Sequence, residues 1–243
     1  MRKFLTAHWQ DLIMANYEVS PDLLASRVPA GTELDLDKGR CFVSLVGFMF
    51  RDTRVLSVPI PFHINFEEVN LRFYIKRVLP NEIRRAVCFI KEIVPRWAIA
   101  TVARVMYGEP YDCWQMGNYR SDSQVSYDWS RNGITNRLAV NIGESLGVPN
   151  SGSHGEFIIE HYWGYTDRGN GRVDEYKVEH PKWALFSVTE PRIDVDFAAT
   201  YGDEFEFLSR EQPHSVLLAK GSEIAVYKGQ NSWSSFAVFA SLR

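Results

Sequence analysis

Nothing in this chain supplies a broad cationic face. Its 27 lysines and arginines are outnumbered by 30 aspartates and glutamates, for a net charge of −3. Without a basic stripe there is little to neutralise a phosphate backbone, so nucleic acid is excluded as a partner. Cysteine is scarce as well. Cys41, Cys88 and Cys113 are odd in number and far apart. No Cys-x-x-Cys pair stands ready to bind zinc or cycle a disulfide, and the three read as buried thiols in a reducing compartment. No segment approaches about 18 uninterrupted apolar residues, and the start, MRKFLTAHWQ, lacks an apolar run of secretory length. The expectation is a soluble cytoplasmic protein with no membrane partner. Internal repeats, low-complexity tracts and linkers are also missing. With 45% hydrophobic content, residues 1–243 are expected to bury one core as one domain.

What is present is mostly strand. Asp11 to Val19 reads as an opening strand, and Ser20-Pro21-Asp22 as the cap and first turn of a short helix to about Arg27. Glu33 to Leu36 and Arg40 to Phe50 read as strands joined at Asp37-Lys38-Gly39, where Gly39 takes the positive φ of a hairpin turn. CFVSLVGFMF is apolar on both faces and therefore central, with Gly47 allowing a bend or the close approach of a neighbouring backbone. Glu82 to Val94 is a further strand, and Pro95 and Gly108 bracket a helix from Arg96 to Tyr107. Paired strands follow around Ser121-Asp122. Ser153-His154-Gly155-Glu156 has the form of a capping box that opens a helix through His161 and Tyr162. A hairpin turns at Asp167 to Gly171, and strands follow at Leu185 to Thr189, Ser215 to Ala219 and Glu223 to Lys228. The class expected is α+β, mainly β.

The run from Pro61 to Val78 carries the first functional hint. By the two-residue period of a strand, Val69, Leu71, Phe73 and Ile75 share one face and Phe66, Glu68, Asn70, Arg72 and Tyr74 the other. The first face is core. The second is either solvated or lines a polar cavity, and the flanking aromatics Phe66 and Tyr74 favour the cavity.

Four motifs carry a family resemblance. FEEVNLRFYIKR (Phe66 to Arg77), the corner from Glu92 to Trp97 with its helix and GEPY, the GEFIIEHY segment, and VEHPKW (Val178 to Trp183) together resemble the uncharacterised YqjF-like family of the acetoacetate-decarboxylase-like superfamily. The resemblance implies a curved antiparallel sheet closing into a barrel or cone around a central cavity, with a few short helices. It brings no assigned activity.

Enzymes of that superfamily set a Schiff-base lysine at a Pro-Lys-Lys corner, where a second ammonium and desolvation lower the pKa of the reacting amine. Here the corresponding corner is Pro95-Arg96-Trp97. Arg96 stands as the counterpart of the reactive lysine, but a guanidinium keeps its proton and forms no imine. Trp97 stands where the activating charge would be. Decarboxylation by a Schiff base is therefore rejected, and a rescue by Lys91 or Lys76 would need a different geometry. Glu68 is similar to a pocket glutamate of those enzymes. If Glu68, Arg72 and Arg96 converge, the arginines grip a carboxylate or enolate oxygen while Glu68 accepts a proton. The alternative is that Glu68 and Arg72 meet cross-strand partners and serve structure.

Weaker candidates divide in the same way. His63 follows Pro59-Ile60-Pro61 and sits either at a cavity mouth, binding substrate with Trp97, or in a loop with a local hydrogen bond. His161 and His180 lack a third ligand for a metal. Gly169-Asn170-Gly171 is a turn, not a phosphate loop, and Ser145 and Ser153 lack a nucleophile elbow. Arg54 and Arg104 reach either a cavity or surface salt bridges. Two functions remain. One is a cofactor-independent, lyase-like enzyme on a small oxo-acid or carbonyl compound, with Glu68 and Arg96 catalytic and Arg72, His63 and Trp97 binding. The other is a non-catalytic binding protein for an apolar or aromatic carboxylate. Either way the partner expected is a small anionic ligand, with no cofactor or metal, and a homo-oligomer is left open.

Overall fold

The computed structural model describes residues 1–101, 108–229 and 233–234. Its strands in chain order are β1 (Arg2–Val19), β2 (Glu33–Leu34), β3 (Cys41–Val55), β4 (Val58–Pro59), β5 (Phe66–Leu79), β6 (Glu82–Val94), β7 (Tyr111–Cys113), β8 (Gln115–Arg120), β9 (Gln124–Arg131), β10 (Ile134–Gly147), β11 (Trp163–Asp167), β12 (Arg172–Glu179), β13 (Leu185–Asp194), β14 (Ser215–Lys228) and β15 (Trp233–Ser234). Neighbours run β12-β11-β6-β5-β3-β1-β14, and β12 pairs in turn with β14, which closes a seven-stranded barrel. Its seams are antiparallel apart from a short parallel contact, Trp163↔Ala86 and Gly164↔Val87. From β14 the sheet continues through β13, β10, β9 and β8 as a second layer.

This arrangement covers both faces of the central strands. On β5, Val69, Leu71, Phe73 and Ile75 pack outward in one cluster with Tyr127 and Trp129 of β9 and Leu138 of β10. Phe66 and Tyr74 point the other way, into the barrel, with Leu12, Phe48 and Phe50. The same double coverage explains why Cys41 to Phe50 are buried without interruption. Each fully buried Leu, Ile, Val or Phe contributes about 1.5–3 kcal/mol, enough in sum to carry polar groups inside the barrel. Gly47 is needed at the contact between layers: a Cβ there would lie 2.7 Å from Cδ2 of Tyr127. The close approach is to an aromatic ring rather than to a neighbouring backbone.

Local differences from the sequence reading have physical causes. β1 begins nine residues before Asp11, and its pairing with β3 slips between Gln10 and Ile13, where Asp11 takes φ 54°. The segment after Ser20 forms two 3₁₀ turns, Pro21–Leu23 and Ala25–Arg27, because it is too short to repay α-helix nucleation before Pro29. Lys38 and Gly39 do form a tight turn, at φ 52° and 84°, yet β2 pairs with Lys76 and Ile75 of β5 instead of β3. Ser215 to Lys228 is one strand with a bend at Gly221, φ 82°. The helix at the corner, α1, opens at 97 and is described to 101; the rest of the expected span, with Arg104 and Val105, lies outside the described residues. Gly108 has φ 67°. A second helix, α2 (His154–Ile159), starts at Ser153, whose Oγ accepts from the Glu156 amide at 3.2 Å. It ends before His161. His154 then ties the Asp37 turn to β14, with Nδ1 2.7 Å from Asp37 and Nε2 2.8 Å from Ser215 Oγ. The sequence reading contained neither α3 (Phe197–Tyr201) nor the 3₁₀ segment Asp203–Ser209. No helix among the described residues is long and apolar enough to cross a membrane.

Candidate active site inside the barrel

The inward face of β5 supplies Glu68, Asn70 and Arg72. Register then decides what joins them. Asn70 pairs with Glu92 of β6, and Glu92 pairs with Tyr111 of β7, so three adjacent strands present polar side chains side by side. The chain entering β7 adds Glu109, and β12 adds Tyr176. All of these line a cavity of about 430 Å³. Most of the remaining wall is apolar, including Trp9, Phe48, Phe50, Phe66, Phe89 and Trp183.

Glu68 is 2% exposed. It accepts hydrogen bonds from Asn70 Nδ2 and from the Tyr111 hydroxyl, both at 2.9 Å. Burial outweighs those donors and the nearby Arg72 charge, and holds the Glu68 carboxyl up to about 7. Glu109 is likewise pushed up to about 7 by burial, against hydrogen bonds from Thr166 and Tyr176; Thr166 Oγ1 lies 2.5 Å from its Oε1. Glu92 is raised well above the usual carboxylate range by burial and by the charges of Glu109 and Glu68. Its Oε2 has no hydrogen-bond partner among the described residues. The three acids face one another and cannot all ionise in an apolar enclosure, so protons are retained near neutrality.

Arg72 stands apart from them. Among the described residues it forms no ion pair within 4.0 Å; its Nη2 lies 3.9 Å from Met14 Sδ, and its guanidinium carbon 5.8 Å from the Tyr74 ring centre. Arg72 Nε has no hydrogen-bond partner among them either. Beside it, His161 is fixed by Asp35, with Nε2 3.2 Å from Oδ2, and its Nδ1 has no partner among the described residues. Burial lowers the His161 imidazole to about 4, so the ring is neutral at pH 7 and its free nitrogen is an acceptor.

The candidate residues read from sequence separate into two places. Glu68, Arg72 and His63 line the cavity. His63 also makes the local contact its prolines suggest, with Nδ1 2.8 Å from the Pro61 carbonyl. Arg96 and Trp97 are exposed, Trp97 by 71%, and neither lines the cavity. The apolar Ala98 and Ile99 of the same helix turn inward in their place, which leaves the guanidinium and indole in water. No lysine lines the cavity among the described residues. Lys91 points to the other side of β6 and hydrogen-bonds the Thr200 carbonyl; Lys76 lies 3.4 Å from Glu33 and 3.9 Å from Asp35. Among the described residues no three His, Cys, Asp or Glu are grouped to hold a metal.

Glu92, Glu109, Tyr111, Tyr176, Asn70 and His161 did not enter the candidate set. Glu92 carried a signal, as a lone acid inside an apolar strand next to Pro95. Glu109 and Tyr111 lay in the GEPY motif, which carried the resemblance but no role; Tyr176 carried no signal, since only tertiary pairing brings it to the barrel.

A family described as DUF2071, uncharacterized conserved protein, matches residues 6–223. Uncharacterized protein YqjF of Bacillus subtilis (strain 168) is 35% identical over 68 residues, which is 28% of this chain and 28% of that protein. The chain thus matches less than a third of that relative's length. Among solved structures, acetoacetate decarboxylase from Legionella pneumophila superimposes with a TM-score of 0.66 at 10% identity, over 95% of this chain and 87% of that one. An acetoacetate decarboxylase-like enzyme from Sphingomonas wittichii RW1 gives 0.62 at 13% identity, over 96% and 94%. The enduracididine biosynthesis enzyme MppR complexed with pyruvate gives 0.65 at 14% identity, over 97% and 91%. At these identities what is shared is the fold.

Proposed function

This chain belongs to the DUF2071 family of uncharacterized conserved proteins, and from that footing we propose that it is an enzyme acting on a small oxo-acid or related carbonyl compound inside the barrel, without an imine to lysine. The observation that carries the reading is Glu68: a carboxyl enclosed in the cavity, bonded to Asn70 and Tyr111, held up to about 7 and, among the described residues, with no cation within 4.0 Å. A general acid or base works best when its pKa lies near the operating pH. Arg72, with no carboxylate within 4.0 Å among the described residues, binds the substrate's carboxylate. Glu68 in its ionised form takes a proton from the carbon next to the carbonyl; the C–H pair becomes the C=C bond, and the carbonyl pair moves to oxygen. The resulting enolate oxygen is met by a proton-bearing neighbour, Glu92 or Tyr111. Reprotonation at carbon returns the oxo-acid, and loss of a leaving group from the next carbon gives the lyase outcome. Arg96 and Trp97 stand at the rim in this reading, next to the cavity-lining Ala98 and Ile99.

The test is deuterium exchange into the methyl group of pyruvate and the methylene of acetoacetate, followed by proton NMR. Exchange above the buffer rate is expected with the wild type. It should fall at least about 100-fold in Glu68→Gln and in Arg72→Met, the range lost with a general base or a charged hydrogen bond. The largely apolar wall favours one second reading, a non-catalytic holder of an apolar carboxylate. Saturable binding of acids without any exchange would establish that reading and remove the first.

A further inference from the structure

The two signs of charge inside the barrel are kept separate, although one strand carries both. Glu68 and Arg72 share the inward face of β5, yet no ion pair within 4.0 Å joins Arg72 to Glu68, Glu92 or Glu109. The guanidinium lies over Tyr74 and beside Met14. A buried acid and a half-buried guanidinium this close in chain normally pair, because desolvation makes an unpaired charge costly. Here each end instead keeps its polar groups unspent. Among the described residues, six buried polar atoms without partners belong to cavity-lining residues: Trp9 Nε1, Thr53 Oγ1, Asn70 Oδ1, Arg72 Nε, Glu92 Oε2 and His161 Nδ1. Such a collection in one enclosure marks the place of a ligand's polar groups.

The acid end has a second property. Asn70 and Tyr111 donate to Glu68, and Thr166 and Tyr176 donate to Glu109. Donors directed at a carboxyl favour its ionised form. Among the described residues no cation lies within 4.0 Å of these carboxyls to complete them; Arg72 and Arg168 act on them only from farther off. We infer that the ligand brings that cation: the substrate is a small acid whose carboxylate lies on Arg72 and whose other end carries a positively charged nitrogen, an ammonium or a guanidinium, seated among Glu68, Glu92 and Glu109. This deepens the function proposed above and rests on it, since Arg72 has the same role in both. An apolar middle suits the aromatic wall between the two ends, and the cavity of about 430 Å³ falls in the size range of small-molecule sites.

Seating a cation draws protons off the acids. The titratable and charged groups facing them are Arg72 on β5, Tyr111 on β7, Tyr176 on β12 and Arg168 after β11, with His161 and His180 near Arg72. Burial raises both tyrosines further above their ordinary range and lowers both histidines. Glu68 and Glu109, both held up to about 7, therefore release the protons.

The matched probes are hexanoate and 6-aminohexanoate, measured by titration calorimetry with the whole chain at pH 6 and pH 8 in buffers of different ionisation enthalpy. The expected result is that 6-aminohexanoate binds at least about tenfold tighter than hexanoate at pH 8, with proton release and a smaller preference at pH 6. In Glu92→Gln the preference should shrink while hexanoate affinity is retained, and melting curves check that this variant is folded. Equal or tighter binding of hexanoate by the wild type overturns the inference and leaves the anion site on Arg72 standing. Failure of both probes to bind at millimolar concentration overturns the inference together with that anion site.

Discussion

Glu68→Gln should make the protein more stable at pH 8 while removing its acid–base chemistry. The carboxyl sits at about 7 in the folded chain against an ordinary 4.5. Because the folded value is the higher one, the native state holds more protons than the unfolded state between these limits. Stability therefore falls as pH rises through that window. A difference of roughly 2.5 units, at 1.36 kcal/mol each, amounts to about 3 kcal/mol by pH 8. Glutamine cannot ionise and escapes this loss. Against it, the amide keeps only one oxygen for the two donors, Asn70 Nδ2 and the Tyr111 hydroxyl, a penalty of about 1 kcal/mol. The variant should thus be about 2 kcal/mol more stable at pH 8 and about 1 kcal/mol less stable at pH 4, below the window. Urea unfolding at both pH values, followed by the fluorescence of buried Trp129 and Trp183, reads the difference directly as a midpoint shift of about 1 M. If the variant is less stable than the wild type by the same amount at both pH values, Glu68 does not retain its proton in the native cavity, and the argument for a tuned acid–base group fails with it.

Gly47→Ala places a methyl 2.7 Å from the Tyr127 ring between the two layers; overpacking of this kind costs about 1–3 kcal/mol, measurable by urea unfolding. His161 has the opposite sign to Glu68: its folded value of about 4 lies below its ordinary 6.5, so the unfolded chain binds more protons between them and stability falls as pH drops through that window, by up to about 3 kcal/mol. His161→Gln should flatten that acid limb relative to the wild type, and an unchanged limb would mean the ring is protonated in the native state. Borohydride reduction in the presence of acetoacetate should leave the intact mass unaltered, because no lysine lines the cavity among the described residues. An adduct mapped to Lys91 would contradict this.

The period-two pattern of Phe66 to Tyr74 was enough to sort its residues onto two faces, because alternation is a property of the strand itself. Turn chemistry was legible for the same reason: Lys38-Gly39 and Gly169-Asn170-Gly171 adopt positive φ where the chain reverses. So was the absence of a reactive amine at Pro95-Arg96-Trp97, which follows from residue type alone. What alternation cannot say is what each face meets. One face of β5 is covered by β9 and β10, and the other looks into an enclosure that exists only because β12 closes onto β14. Glu92 enters the site through its register with Asn70 and Tyr111, Glu109 through the chain entering β7, and His161 through Asp35, which is 126 positions away. These are contacts between distant segments, set by pairing and closure rather than by neighbours in sequence. The same closure turned Ala98 and Ile99 inward and left Arg96 in water, where a guanidinium is best solvated.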